Sequence, residues 1–217
     1  MDLFQAMQQR RSARAFLDRP VKRKDIEDLF HFAGMASSAI NMQPWEFVVT
    51  YGDEKDRLVR SLLKARKERQ VACGPGSSEP LPEKFVRRSR RAAQDMKPAV
   101  DRLGIEFNRF VEEGSCSFYG APIAIIVTID RRFPPLRYLD VGLSVSYLLL
   151  AAQAKGLATC PIGLITAYGT TIAEALNIDE QKEIVLGIAL GYADENAPIN
   201  QFKTKRAEQD EILHWYE

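Results

Sequence analysis

The run from Leu139 to Lys155, together with Gly156 to Leu164 after it, constrains this chain more than any other stretch. Apolar side chains recur on nearly every face of the run, which predicts a buried helix, and Gly156, free to take φ > 0, ends it. The next residues, LATCPIGL, hold a proline with a fixed φ and no N–H and a glycine without a Cβ, and they read as a short turn. Backbone of this kind can lie against a flat ligand with its amides free, so this turn is the predicted seat of the chemistry. Taken alone, the same residues are also an ordinary helix-to-loop turn.

A chain of 217 residues is long enough to bury a real core as one domain, and a single domain over 1–217 is expected. Thirty Lys and Arg against 29 Asp and Glu leave a net charge of +1, which argues against wholesale binding of nucleic acid or acidic membrane. Cys73, Cys116 and Cys160 are widely spaced and odd in number, so neither a disulfide framework nor a zinc site is indicated, and a reducing cytoplasm is the expected location. Arg10 and Arg11 are not followed by an apolar leader segment, and Ser144, Ser146 and Gln153 break the run near Leu148, so neither export nor membrane spanning is expected.

Asp2 to Gln9 place Leu3, Phe4 and Met7 on one face, which predicts a short helix packed on the domain. It leads into RRSARAF, where Arg10, Arg11, Ser12 and Arg14 put cationic donors and a hydroxyl close together, a set suited to a phosphate monoester. A solvated arginine run at a helix end has the same composition. After Pro20, Ile26, Leu29, Phe30 and Ala33 mark an amphipathic helix. SSAINMQPWEF then reads as a polar loop carrying Ser37, Ser38, Ala39, Asn41 and Gln43, before a strand at Phe47 to Tyr51. Trp45 reads equally as core.

Asp53 is placed to cap a helix with Leu58, Val59, Leu62 and Leu63 on its buried stripe. Gly74 to Pro82 reads as a loop, and Glu83 to Glu113 as a charged helical stretch interrupted at Pro98 and Gly104; together, residues 66–115 form an excursion able to cover a pocket. RRSRR at Arg87 to Arg91 lacks the interleaved aromatics of a nucleic-acid groove and reads as a solvated helix face. Ala121 to Ile129 and Ile184 to Tyr192 are predicted buried strands, with Thr170 or Thr171 capping a helix between them. Phe118 and Tyr119 line a pocket or fill core. The tail, 193–217, has too little apolar periodicity to fold on itself and is expected to lie along another surface.

No HExxH, Walker loop, GxSxG or EF-hand loop is present, and the only histidines are His31 and His214, so a histidine triad or metal centre is not expected. An organic cofactor would supply the reactivity such a site lacks. RRSARAF, NMQPWEF and LDVGLSVSYLLLAAQAKGLATCPIG, in this order and spacing, resemble the FMN-dependent nitroreductases across most of the chain, with 66–115 the weakest part. The resemblance implies an α+β fold: a mixed, mainly antiparallel sheet flanked by helices, in a domain-exchanging homodimer whose C-terminal tail crosses to extend the partner's sheet. It implies non-covalent FMN at the subunit interface, NAD(P)H as co-substrate, and a nitroaromatic, quinone or other small electron-poor acceptor reduced by a ping-pong mechanism. It assigns Arg10, Arg11, Ser12, Arg14, Arg206 and Lys205 (or Lys203) to the phosphate and ribityl chain. The loop of Ser37, Ser38, Ala39, Asn41 and Gln43 is assigned to the partner's flavin, and Pro161, Ile162, Gly163 and Leu164 to the ring, with the Gly163 amide toward N5. Two departures stand out: Ser37 where the family often has proline, and Ser146 and Tyr147 where it often has a Gln-Asn pair. Specialised branches that dehalogenate or fragment flavin, and a non-catalytic flavin-binding protein, are the alternatives.

Overall fold

A computed structural model describes residues 1–69 and 79–217. Cys73 and most of the expected loop at Gly74 to Pro82 lie outside the described residues. Among the described residues the sheet has four antiparallel strands: β1 (Trp45–Tyr51), β2 (Ile123–Asp130), β3 (Ala158–Ile162) and β4 (Lys182–Gly191), in the order β1-β2-β4-β3. The helices are α1 (Leu3–Gln9), α2 (Arg23–Gly34), α3 (Gly52–Glu68), α4 (Glu83–Asp101), α5 (Phe107–Cys116), α6 (Tyr138–Ala154) and α7 (Gly169–Leu176).

Strand β2 is buried from Ile123 to Ile129, and the two-residue repeat of a strand divides its side chains between two layers. Ile123, Ile125, Val127 and Ile129 pack with α2 through Leu29 and Ala33 and with α6 through Val141, Val145 and Leu148. Ala124 and Ile126 face the other way, onto Leu58 and Leu62 of α3, Ile172 of α7, and Phe118. Trp45 belongs to the first layer. Between Val127 and Thr128 the β2–β4 register slips by one residue, so Val185 has no partner in the ladder. Gly187 in β4 is required by close packing: a Cβ there would run into Ile165 Cδ1 and lie 3.1 Å from Phe118 Cε1.

Several expectations need correction. Gly156 does end α6 at φ 73, but the segment after it is strand β3 rather than a turn, because its backbone pairs with β4 from Ala158–Gly191 to Ile162–Gly187. Pro161 is tolerated because β3 lies at the sheet edge, where a missing N–H costs no ladder bond. Helix α6 is not buried all round: Ser144, Val145 and Leu148 face inward, while Leu139 is 64% exposed and Leu143 and Tyr147 are also exposed. In α1 only Ala6 is buried; Leu3, Phe4 and Met7 point outward. Both outward faces are apolar, so amphipathic spacing identified them without telling which neighbour they meet.

Asp53 is not the cap; α3 starts at Gly52, two residues earlier than that reading implies, with Tyr51 as its cap and Asp53 in the first turn. Likewise α7 begins at Gly169, ahead of both threonines, with no side-chain cap. Pro98 sits inside α4 without ending it, whereas Gly104, at φ 67, lies in the break before α5. The tail packs on its own chain as far as Phe202: Ile199 and Asn200 are buried, and the Asn200 amide donates to the Ala15 and Asp194 carbonyls at 2.8 and 2.9 Å. Beyond that, Ile212, Leu213, Trp215 and Tyr216 are exposed, although Arg88 of α4 pairs with Glu211 at 2.6 Å. No helix among the described residues is long and apolar enough to cross a membrane.

Candidate functional site

The segment from Arg10 to Phe16 is threaded along the sheet. Ser12 bridges Thr159 of β3, the Ala13 N–H donates to the Thr159 carbonyl at 3.0 Å, and Phe16 bridges Ala193 just past β4. These backbone bonds fix where the side chains of the arginine motif can go. They point into a cleft of about 320 Å³ lined by Met7 to Ser12, Arg14, Phe202, Lys203, Thr204 and Arg206. Five of the lining side chains, Arg10, Arg11, Arg14, Lys203 and Arg206, are cationic, and none is acidic.

The cations are not equally available. Arg11 forms an ion pair with Glu195 at the rim. Arg14 has no carboxylate partner among the described residues; its Nη1 donates to the Ser12 carbonyl at 3.4 Å and its backbone N–H donates to Asn200 Oδ1 at 2.7 Å. Arg206 donates to Thr204 Oγ1 at 2.7 Å, and no carboxylate pairs with it among the described residues. Burial pushes the Arg10 guanidinium below its ordinary value, and the nearby Arg206 charge pushes it the same way. Like charges gathered in a part-buried cleft are relieved by an anion, so the donor set fits a phosphate monoester.

Of the two lysines, Lys203 lines the cleft; Lys205, the residue assigned to the phosphate, is exposed and outside it. Alternation along extended chain does not explain the choice, because residues two apart would share a face. From the cleft, the Ser12–Thr159 bridge leads onto β3 and, at its end, to Gly163. Gly163 is exposed, and the space a Cβ would occupy there is open, with no atom within 4 Å. Its carbonyl is engaged, accepting from the Thr166 N–H and hydroxyl at 3.1 and 2.9 Å. Ile162 is buried, and Pro161 and Leu164 are half-buried. Cys160 is core, with its thiol pushed up by burial against the opposing pull of Arg14, and it has no features of a reactive thiolate.

The loop of Ser37, Ser38, Ala39, Asn41 and Gln43 does not join this cleft. It is a tight, exposed turn in which Ile40, Asn41 and Gln43 take φ of 44, 59 and 48. Ser38 Oγ accepts from the Gln43 N–H at 3.0 Å, and Gln43 Nε2 donates to Asn41 Oδ1 at 3.1 Å, so these polar groups brace the loop itself. Ile40 at its tip is 90% exposed. Left-handed backbone at three non-glycine residues is strained and is found mostly where a site requires it. Ser146 and Tyr147 also lie away from the cleft. Ser146 donates to the Gly142 carbonyl within α6, and Tyr147 faces Leu3, Met7 and Phe32.

Phe202 and Asn200 are the site residues that sequence reasoning missed. Nothing local marks them; they matter because the tail folds back onto Arg14 and Ala15. Comparison with known proteins shows the family. The family model described as the Nitroreductase family matches residues 7–192. A 4-nitrobenzoate reductase of Pseudomonas putida is 32% identical over 215 residues, 95% of this chain and 92% of that protein. A chloronitrobenzene nitroreductase of Comamonas testosteroni is 31% identical over 208 residues, 94% of this chain and 92% of its own. The crystal structure of the FMN-dependent nitroreductase NfnB from Mycobacterium smegmatis in complex with NADPH superposes with a TM-score of 0.89 at 29% identity, covering 100% of both chains. The chain belongs to the nitroreductase family.

Proposed function

We propose that this protein is an FMN-dependent oxidoreductase that uses NAD(P)H to reduce a nitroaromatic or similarly electron-poor small molecule, working as a homodimer with a ping-pong order. The observation that carries the reading is the cleft of five cations with no acid in its lining, joined through the Ser12–Thr159 bridge to a strand that ends at the open backbone of Gly163. Its family relatives act on nitroaromatic compounds, as the names of the P. putida and C. testosteroni proteins state.

Arg10, Arg11, Ser12, Arg14, Lys203 and Arg206 would hold the phosphate end. Pro161, Ile162, Gly163 and Leu164 would offer the flank on which the ring rests, with the Gly163 amide as a fixed dipole beside it. Bound there, FMN would supply two-electron chemistry between the nicotinamide nucleotide and the acceptor. The chain's contribution is binding and orientation. The cleft lining has no carboxylate or histidine to move a proton, so its cationic donors act on charge alone.

The dimer is supported by apolar surface. Leu3, Met7, Phe32, Tyr147 and Leu150 surround a cleft of about 460 Å³ on the outer side of α1 and α6, with Leu139 and Leu143 also exposed along α6. We assign the strained 37–43 loop of a second copy covering this face to this chain's site. Strand β1 has no partner on its outer edge among the described residues, and beside it lies a cleft of about 590 Å³ lined by Val21, Ile26, Phe30, Val49, Tyr51 and Pro122. The exposed Trp215 and Tyr216 of the other copy's tail are the proposed occupants.

Purified protein incubated with FMN and desalted should stay yellow and oxidise NAD(P)H when 4-nitrobenzoate or menadione is added. Parallel double-reciprocal lines in the two substrates would support the ping-pong order. Protein that retains no flavin at saturating FMN would overturn the proposal. Flavin retained with no turnover of either acceptor would favour a binding role.

A further inference from the structure

Arg14 lies over two aromatic rings. Its guanidinium carbon lies 5.9 Å from the centre of the Tyr119 ring and 5.8 Å from that of Phe202. These faces, with the Ser12 carbonyl, hold the one arginine of the motif that faces neither a carboxylate nor another guanidinium in the interactions described above. An arginine over an aromatic face is held electrostatically by the ring's negative quadrupole.

Tyr119 reaches this position through unusual backbone. Phe118 and Tyr119 take φ of 51 and 52, a region that bulky L residues seldom adopt and that persists only where the surroundings over-determine it. The ring then lies against α5 where Gly114 has no side chain; a Cβ built there would be 2.6 Å from Tyr119 Cδ1. The Phe110 ring lies beside it, tilted by 45° with the ring centres 5.7 Å apart, and Ser115 Oγ is 3.4 Å from its hydroxyl. The left-handed pair and the glycine thus serve the placement of one ring. Tyr119 and Phe202 both pack against the buried cluster of Met96, Ala99 and Val100 of α4, Phe110 of α5 and Ile199 of the tail.

We infer that Tyr119 and Phe202 are positioning residues for the phosphate end of the site, an aromatic clamp that aims Arg14 into the cationic cleft and links the α4–α5 excursion to cofactor retention. This rests on the FMN reading above. Because the clamp acts through Arg14, it concerns the phosphate and not the ring system.

Apoprotein of the wild type, Tyr119→Leu, Tyr119→Phe and Phe202→Leu is titrated with FMN and with riboflavin, which lacks the phosphate, by flavin fluorescence. Inorganic phosphate is titrated in parallel as a competitor of FMN. Both leucine variants should bind FMN roughly tenfold more weakly, between the sizes of an exposed and a desolvated cation–π contact, with riboflavin unchanged and phosphate competing less well. Tyr119→Phe keeps the ring face but loses the hydroxyl that hydrogen-bonds Arg14, and should fall between wild type and Tyr119→Leu. Equal losses for FMN and riboflavin, unchanged phosphate competition, or a phenylalanine variant as poor as the leucine one would each overturn the clamp. Should Tyr119→Leu fail to fold, Phe202→Leu on the tail decides by the same comparison. Wild type that takes FMN while the variants show no phosphate-selective loss removes the clamp and leaves the cofactor reading standing; wild type that takes neither flavin removes both.

Discussion

Removing the Arg14 guanidinium should cost more FMN affinity than removing its neighbour Arg11. Arg14 has no carboxylate partner among the described residues, so its charge is free for a phosphate. A hydrogen bond to a charged group contributes about 1.5–3 kcal/mol, so Arg14→Ala should weaken FMN by about 10- to 150-fold. Arg11 must loosen its ion pair with Glu195 before it can turn to a phosphate, and with Glu195 69% exposed that pair is worth about 0–1 kcal/mol. Arg11→Ala should therefore fall short of Arg14→Ala, and Glu195→Gln, which removes the competing carboxylate, should tighten FMN. Both differences should shrink as salt screens the exposed charges. The assay is titration of apoprotein with FMN at low and high salt, with Arg90→Ala, on the exposed face of α4, as the control. An Arg14→Ala protein no weaker than Arg90→Ala, or a Glu195→Gln protein that binds FMN less well, would refute the reasoning.

Three further outcomes are expected. Leu139→Glu and Leu143→Glu place charge on the apolar outer face of α6 and should shift the sedimentation coefficient toward a single chain; an unchanged value would mean that the two copies do not meet there. Gly187→Ala drives a methyl into the buried Ile165 and Phe118 side chains and should cost about 1–3 kcal/mol in urea unfolding, so an unchanged midpoint would contradict the packing. Asp28 is held down to about 2 from 3.8, first by Lys155, which donates to it at 2.8 Å, and then by Lys24. A lowered carboxyl stabilises fully above its unfolded value, so the advantage of wild type over Asp28→Asn should be complete above about pH 4 and fade toward pH 2. A thermal-shift difference that stays constant over that range would contradict the assignment.

Much of the architecture was legible because it depends on local patterns. β-branched runs marked β2 and β4, and the spacing of Ile26, Leu29, Phe30 and Ala33 marked α2, since alternation and helical period survive whatever the neighbours are. The cationic cleft was legible for the same reason: Arg10, Arg11, Ser12 and Arg14 of its lining lie within one short stretch. The segment at Ala158–Ile162 was not legible, because a Pro- and Gly-containing run becomes a strand only when β4 is present to take its hydrogen bonds. The inward-facing reading of Leu3, Phe4 and Met7 failed because periodicity identifies an apolar face but not its partner.

From its order of residues alone, this chain's family, its α+β class and the arginine-rich end of its site could be argued, since each rests on groups close together in sequence. Only the folded chain decided that Glu195 takes Arg11, that Lys203 and not Lys205 enters the cleft, and that Asn200, Phe202 and Tyr119 hold Arg14. Those choices join residues far apart in the chain, and a charge or a ring has no preference among distant partners until the backbone hydrogen bonds of β3, β4 and the returning tail fix which of them come within reach.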